Sequence, residues 1–145
     1  DSAKEEGGTI LCGGTQTTPE NQPGLEGGYY IQPTIIEGLK YDCAVNQQEI
    51  FGPVVTIQPF ETEEEAVSIA NSTEYGLAAT VWTNDLKRAH RVAAELETGI
   101  CWVNCWLLRD LRTPFGGVKN SGVGREGGFD ALRFFTESQN VCIKL

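Results

Sequence analysis

Several features that identify whole classes of protein are missing from this sequence. No apolar run approaches the roughly 20 residues that a transmembrane helix needs, which excludes a membrane span. Residues 1–8 have neither the basic start nor the apolar block of a secretory signal. Methionine is absent, even at position 1, so we expect the chain to begin inside a longer protein.

Positive charge and histidine are also scarce. The net charge is −9 and the longest basic run is Lys87-Arg88, so we expect no nucleic-acid partner, which would need electrostatic attraction to phosphate. The five cysteines form no C-x-x-C pair, and the two closest, Cys101 and Cys105, have no neighbouring histidine. We therefore predict reduced thiols in a cytoplasmic compartment and no metal site.

Short β-branched runs alternate with helical periodicity along the chain, which predicts an α/β fold. We predict strands within residues 52–60, 77–83 and 100–104 that lie side by side in one parallel β-α-β-α-β sheet. Upstream we predict a helix over 1–6, a strand over 9–12, a loop rich in glycine and proline over 13–28, and an extended segment over 29–37.

The two crossover helices have recognisable start signals. Thr62 and Glu65 form a capping-box pattern for the first helix. Asn84 or Asp85 caps the second helix, which ends before Gly99. The apolar residues expected to face inward are Ala66, Ile69 and Ala70 in the first helix, and Leu86, Ala89, Val92, Ala93 and Leu96 in the second.

Residues 114–128 are so rich in glycine that we predict turns and no regular secondary structure there. Within them, Gly122-Val123-Gly124-Arg125-Glu126-Gly127 matches the spelling of a dinucleotide-binding motif. No strand precedes it and too little chain follows it, so we interpret it as a turn with positive φ angles. A short helix over 129–135 and a terminal strand over 136–145 complete the prediction, with Val141, Ile143 and Leu145 on one face of the strand.

Several single residues have a structural explanation beside the functional one. His90 is predicted on a solvated helix face rather than as a general base. Cys105 has no histidine to activate it and is interpreted as a small apolar residue. Trp102 and Trp106 are interpreted as core or pocket-wall residues, and the acidic run over 61–65 fits a helix N-terminus.

Two aromatic-glycine corners carry a family resemblance, Glu49-Ile50-Phe51-Gly52-Pro53 and Pro114-Phe115-Gly116-Gly117. With further motifs in the same order, they resemble the C-terminal part of an NAD(P)-dependent aldehyde dehydrogenase, over about the last third of a typical member. The run from Asn104 to Arg112 most resembles 2-hydroxymuconic and 2-aminomuconic semialdehyde dehydrogenases. The further motifs lie at residues 29–34, 75–79, 99–105 and 121–126.

The resemblance implies a domain plan and a cofactor site. Residues 1–118 would be the C-terminal part of the catalytic domain, 119–135 a connecting segment with a short helix, and 136–145 an oligomerisation strand. Glu49 would hydrogen-bond the nicotinamide-side ribose of NAD, and Phe51 would pack against that ribose and the nicotinamide. NAD is the expected cofactor and NADP stays open as the alternative, because the residue that meets the adenosine ribose would lie upstream.

The catalytic groups of the family have no counterpart here. In that family a cysteine thiolate attacks the aldehyde, hydride passes to NAD, and a glutamate activates water, and both side chains lie upstream of the motifs in this chain. We therefore predict no catalytic residue in the chain, and we expect it alone neither to bind NAD tightly nor to oxidise aldehydes.

The loop after Asn104 would line the aldehyde entrance, with Trp106, Leu107 and Phe115 in its wall. Arg109 is the predicted anchor for a carboxylate on the substrate, because its planar fork binds carboxylates bidentately. Arg112 is the second candidate, and either arginine could instead pair with Asp110.

Two other functions stay open. One is a broad aliphatic or betaine-type aldehyde dehydrogenase. The other is a non-catalytic folding or assembly module that forms homo-oligomers through the strand at 136–145, since exposed strand edges are usually covered by a partner.

Overall fold

The computed structural model describes residues 1–20 and 22–145. Their contacts divide the chain into two compact units, Asp1–Thr73 and Glu74–Leu145. Helices and strands alternate in both units, which confirms the mixed α/β character predicted from the sequence.

The first unit is built on a three-stranded sheet of β1 (Thr9–Cys12), β2 (Thr34–Glu37) and β3 (Val54–Ile57), in that order, in which β1 is antiparallel to β2 and β3 is parallel to it. Ala3, Ile36 and Leu39 form its buried core. The elements are α1 (Ser2–Glu5), β1 (Thr9–Cys12), β2 (Thr34–Glu37), α2 (Ala44–Gln47), β3 (Val54–Ile57) and α3 (Glu63–Asn71).

The second unit is built on a parallel pair of strands, β5 (Ala78–Val81) and β6 (Ile100–Val103), joined by the helix α4 (Leu86–Glu95). A second, antiparallel pair joins β4 to β7, and Trp102 on β6 is buried. The elements are β4 (Tyr75–Gly76), β5 (Ala78–Val81), α4 (Leu86–Glu95), β6 (Ile100–Val103), β7 (Val118–Lys119) and α5 (Gly128–Phe135).

The predicted three-stranded β-α-β-α-β sheet is wrong. Its last two strands do pair, as β5 and β6, but β3 pairs with β2 in a different sheet. The glycine-rich segment also contains the short strand β7, although we predicted no regular structure there. Both errors concern strand partners that lie far away in sequence, which hydrophobic periodicity does not specify.

The helix starts follow the sequence signals closely. Thr62 Oγ1 accepts a hydrogen bond from the Glu65 amide at 3.1 Å, while Glu65 Oε2 accepts one from the Glu61 amide at 2.7 Å. Asp85 caps α4, because its Oδ1 accepts from the amides of residues 87 and 88 at 2.9 and 3.2 Å. The bonds from the amides of residues 65, 87 and 88 satisfy groups that the first helical turn leaves unpaired.

The predicted inward faces are only partly correct. Ala89 is buried in α4 as expected, whereas Leu86 is exposed. In α3 the buried residue is Val67, and Ala70 is exposed. The predicted helix over 129–135 is confirmed as α5.

Residues 136–145 form no strand within this chain, and all of them are exposed. The predicted terminal strand is therefore absent from the chain by itself. A β-strand needs a hydrogen-bonding neighbour, and none of the described strands pairs with this segment. Pairing with a second chain stays a prediction.

The chain exposes 11327 Å² of surface to solvent. Two separate compact units of half its mass would together expose about 8,800 Å², by the size scaling of folded monomers. Large apolar side chains such as Phe51, Leu108 and Phe135 are exposed.

No described helix is both long enough and apolar enough to cross a membrane.

Candidate functional site

Asn104 ends the β5-β6 pair and begins the loop that carries most of the predicted substrate residues. Its backbone has φ of 54°, a conformation that asparagine tolerates better than most residues. Its side chain pairs with the backbone of Thr83 in both directions, because Oδ1 accepts from the amide and Nδ2 donates to the carbonyl, each at 2.8 Å. The amide side chain thus extends the strand pairing by one step and fixes where the loop starts.

The loop is also attached to the buried Trp102. The indole Nε1 of Trp102, a residue that is only 5% exposed, donates to the carbonyl of Leu108 at 2.8 Å. The ring packs edge-on against Trp106, with 5.0 Å between ring centroids. Leu107 has φ of 56°, a strained value for a residue with a branched side chain. These contacts hold the backbone next to Arg109.

Arg109 lies in a cluster with Phe115 and Glu126. The Arg109 Cζ atom is 4.1 Å from the centre of the Phe115 ring, within the range of a cation–π interaction. Its Nη2 also forms an ion pair with Glu126 Oε1. Phe115 and Glu126 are antiparallel neighbours whose main chains exchange hydrogen bonds of 2.8 and 2.7 Å.

Arg112 forms an ion pair with Asp110. Such a pair within the loop was the alternative to substrate binding for both Arg109 and Arg112. Its Nε donates to Asp110 Oδ1 at 2.9 Å. The hydrogen bonds between the two side chains lower the pKa of Asp110 and raise the pKa of Arg112. Arg109 does not share this partner, so the two arginines have separate environments.

Glycines at 127 and 128 allow the loop to pack closely. A Cβ on Gly127 would lie 2.5 Å from the carbonyl oxygen of Thr113, and one on Gly128 would lie 2.4 Å from that of Arg112. Gly122, Gly124 and Gly127 have φ angles of 149°, 75° and 85°. The interpretation of this G-x-G-x-x-G sequence as a turn is thereby confirmed.

A cleft of about 330 Å³ borders the cluster and includes Phe115 and Glu126 in its wall. Sequence reasoning missed Glu126 as a site residue. Its position opposite Phe115 depends on a bridge across the glycine-rich turn, and the only sequence signal was the presence of both residues in family-like motifs.

The predicted cofactor residues Glu49 and Phe51 lie in the first unit, in a corner between α2 and β3. Phe51 has φ of 55° and is 93% exposed, and Glu49 is exposed as well. The carbonyl of Pro53 accepts from the Thr34 amide at 2.8 Å, which ties the corner to β2. An aromatic side chain held in a strained conformation and left in solvent suggests a binding role.

This corner suits a nicotinamide nucleotide. An exposed carboxylate can accept hydrogen bonds from two neighbouring ribose hydroxyls, and an exposed ring offers an apolar face. Glu49 and Phe51 provide these two groups two residues apart.

The thiols and the histidine show no catalytic arrangement in the described part of the chain. All five cysteines are free, and burial raises the pKa of the Cys101 thiol, which opposes nucleophilic activity. His90 lies exposed on α4, as predicted. The described residues contain no cluster of histidine, cysteine and acidic side chains that could hold a metal ion.

Comparisons with known proteins identify relatives of the whole chain. The chain is 57% identical over 143 residues to a 2-hydroxymuconic semialdehyde dehydrogenase of Pseudomonas sp. (strain CF600), covering 99% of this chain and 29% of the relative. It is 52% identical to a 2-aminomuconic semialdehyde dehydrogenase of Danio rerio, covering 98% of this chain and again 29% of the relative. The chain thus spans less than a third of the length of these curated relatives.

A solved structure agrees with these relatives. The betaine aldehyde dehydrogenase of Staphylococcus aureus in complex with NAD+ superposes with a TM-score of 0.85 at 40% identity, over 92% of this chain and 26% of that one. The model of the aldehyde dehydrogenase family matches residues 1–141. With a family match over nearly its whole length, this chain belongs to the aldehyde dehydrogenase family.

Proposed function

We propose that this chain is part of an NAD(P)-dependent aldehyde dehydrogenase that oxidises a semialdehyde bearing a carboxylate, of the muconic semialdehyde type. The observation that carries the proposal is the placement of Arg109 over the Phe115 ring, in the loop that follows β6. The similarity to muconic semialdehyde dehydrogenases supports the same substrate class.

Arg109 is the proposed anchor for the remote carboxylate. Its guanidinium is charged at all physiological pH values and presents parallel N–H groups that match a carboxylate. The side chain is 31% exposed, so neighbours cover most of it while part of it stays accessible to solvent. Trp106 and Leu107 are exposed apolar side chains of the same loop, and with Phe115 they would line the path of the aldehyde.

Glu49 and Phe51 are the proposed contacts of the nicotinamide half of NAD, with NADP as the other possible cofactor. When bound, the nucleotide accepts hydride from the substrate. The part of this chain would be to orient the ribose through the Glu49 carboxylate and to provide the Phe51 ring as an apolar surface. The complex of the staphylococcal relative with NAD+ supports the choice of cofactor.

The proposed domain plan assigns residues 1–118 to the catalytic domain, 119–135 to a connecting segment, and 136–145 to pairing with another subunit. We also propose a cytoplasmic location, a compartment in which thiols stay reduced. The 145-residue chain alone should produce no NADH from NAD and an aldehyde, because the nucleophilic cysteine and the basic glutamate of the family have no counterpart in its motifs. NADH formation by the purified chain would refute this point.

The substrate assignment is tested by Arg109→Ala in a full-length aldehyde dehydrogenase that carries this segment. We expect kcat/KM for an acid-bearing aldehyde to fall about 10- to 100-fold, the cost of losing hydrogen bonds to a charged group. A neutral aldehyde of the same length should be unaffected. Arg112→Ala is the matched control, because that side chain is exposed and paired with Asp110.

An equal loss for acid-bearing and neutral aldehydes after Arg109→Ala would reject the carboxylate anchor. It would favour the broad aliphatic or betaine-type activity instead.

A non-catalytic assembly module is the second candidate function. The exposed, apolar-patterned residues 136–145 favour it. If the candidate is correct, the 145-residue chain alone should form a stable dimer or larger oligomer in analytical ultracentrifugation. A monomer would reject self-assembly of the chain by itself.

A further inference from the structure

We propose that Glu126 sets the strength of substrate discrimination by competing, as the resident counter-ion of Arg109, with the carboxylate of the substrate. This inference rests on the proposed function, in which Arg109 is the substrate anchor. It adds a residue that weakens binding of acid-bearing aldehydes, so removal of its charge should improve their binding.

The competition follows from which nitrogen of the Arg109 guanidinium Glu126 contacts. Glu126 Oε1 contacts Nη2 of Arg109, and among the described residues no other side chain forms an ion pair with this guanidinium. A carboxylate binds an arginine fork bidentately either through Nη1 and Nη2 or through Nε and Nη2. Nη2 carries two N–H groups, one on each edge, so a substrate carboxylate either displaces Glu126 from that nitrogen or shares the nitrogen through the other N–H. Sharing brings two negative charges together, which is unfavourable.

Arg109 keeps other contacts when the Glu126 charge is removed. The Phe115 ring lies 4.1 Å from its Cζ atom, and the neighbouring Leu108 carbonyl is held by the Trp102 indole. Glu126 itself is placed by main-chain hydrogen bonds to Phe115, which a side-chain substitution leaves intact. Glu126→Gln should therefore leave the guanidinium in place and only remove the competing charge.

The magnitude should be modest. The Glu126 side chain is 62% exposed, so solvent screens the pair. Exposed ion pairs of this kind change binding by about two- to fivefold when one charge is lost. We expect KM for an acid-bearing aldehyde to fall by about that factor in Glu126→Gln, and we expect the effect to shrink as salt is added.

The test compares two substrates in the full-length enzyme that carries this segment. One is a semialdehyde with a remote carboxylate, and the other is its neutral methyl ester. The readout is the ratio of their kcat/KM values, because any effect of the substitution on a step common to both substrates cancels. Glu64→Gln, which removes the same charge from an exposed position in the first turn of α3, should leave the ratio unchanged.

An increase of the ratio in Glu126→Gln, absent when Arg109→Ala is also present, would support the inference. An unchanged or lower ratio, while Arg109→Ala alone abolishes the preference for the acid, would overturn it and leave the proposed function standing. If Arg109→Ala alone leaves the ratio unchanged, the proposed function fails and the inference with it. Glu126→Ala should give the same direction and replaces the glutamine variant if that protein does not fold.

Discussion

Replacing Gly99 with alanine tests a close backbone approach on which the second unit depends. Gly99 immediately precedes β6, and a Cβ at this position would lie 1.6 Å from the carbonyl oxygen and 2.7 Å from the carbonyl carbon of Gly116. Its φ lies outside the left-handed region. The substitution therefore introduces overlap with main-chain atoms and no additional backbone strain.

The size of the overlap sets the expected cost. Cβ atoms almost never approach another heavy atom more closely than 3.0 Å, so the Gly116 carbonyl must move by at least about 1.4 Å from its 1.6 Å contact. The adjacent Gly117 is buried, and its carbonyl accepts from Arg125 Nη1 at 2.8 Å, so this movement disturbs a packed turn. Overpacking costs about 1–3 kcal/mol, and we expect the upper end because the overlapped atoms are main chain.

Urea unfolding followed by tryptophan fluorescence measures this effect. Trp82, Trp102 and Trp106 all lie in the second unit, so their emission reports on it alone. At a urea slope of about 1–3 kcal/mol per molar, a loss of about 3 kcal/mol lowers the midpoint by about 1 M or more. A fluorescence midpoint that does not change would show that Gly99 and Gly116 are not in contact in the folded chain.

Gly27→Ala is the matched control for the same change of residue. Apart from its own atoms and those of its two chain neighbours, no heavy atom of residues 1–20 and 22–145 lies within 4 Å of its added Cβ, and its φ is also outside the left-handed region. Its effect, followed by far-UV circular dichroism, should stay within about 1 kcal/mol and on the stabilising side, because alanine restricts the unfolded chain more than glycine does.

Three further predictions concern single contacts. Asp85→Ala removes the cap of α4 and should cost about 1 kcal/mol in urea unfolding, and an unchanged midpoint would show that the cap is not formed. Iodoacetamide should modify Cys101 more slowly than the exposed Cys142 at pH 8, because burial raises the pKa of Cys101 and only the thiolate reacts. A mass-spectrometric time course measures the two rates, and equal rates would contradict this prediction. Trp102→Phe keeps an aromatic ring but loses the hydrogen bond to Leu108, so we expect a loss of about 1 kcal/mol in urea unfolding, and no loss would mean that the loop is not held there.

Features that depend on a few neighbouring residues were predictable from the sequence. Thr62 and Asp85 cap helices as expected, because each side chain reaches amides within three residues of itself. The turn over 122–127 was predictable for the same reason, since glycine alone adopts positive φ without a steric penalty. The family resemblance also came from local motifs, and it extends over residues 1–141.

Features that join distant residues were decided by the tertiary structure. The pairing of β3 with β2 and the strand β7 were not predicted, because a strand pattern specifies a buried face but not a neighbour. The partner of Arg109 was likewise missed. Its sequence neighbour Asp110 pairs with Arg112, and Glu126 reaches Arg109 only because the glycine-rich turn places it opposite Phe115.

The sequence by itself therefore determined the helix caps, the glycine turns, the α/β class and the family, all of which rest on short-range hydrogen bonds, steric limits or local motifs. Only the tertiary structure decided which strands pair, which conformation Phe51 adopts, and which carboxylate contacts Arg109. Each of these features needs segments that lie far apart in the sequence to come together. The contacts that stabilise such an arrangement form between segments, so no single segment specifies them.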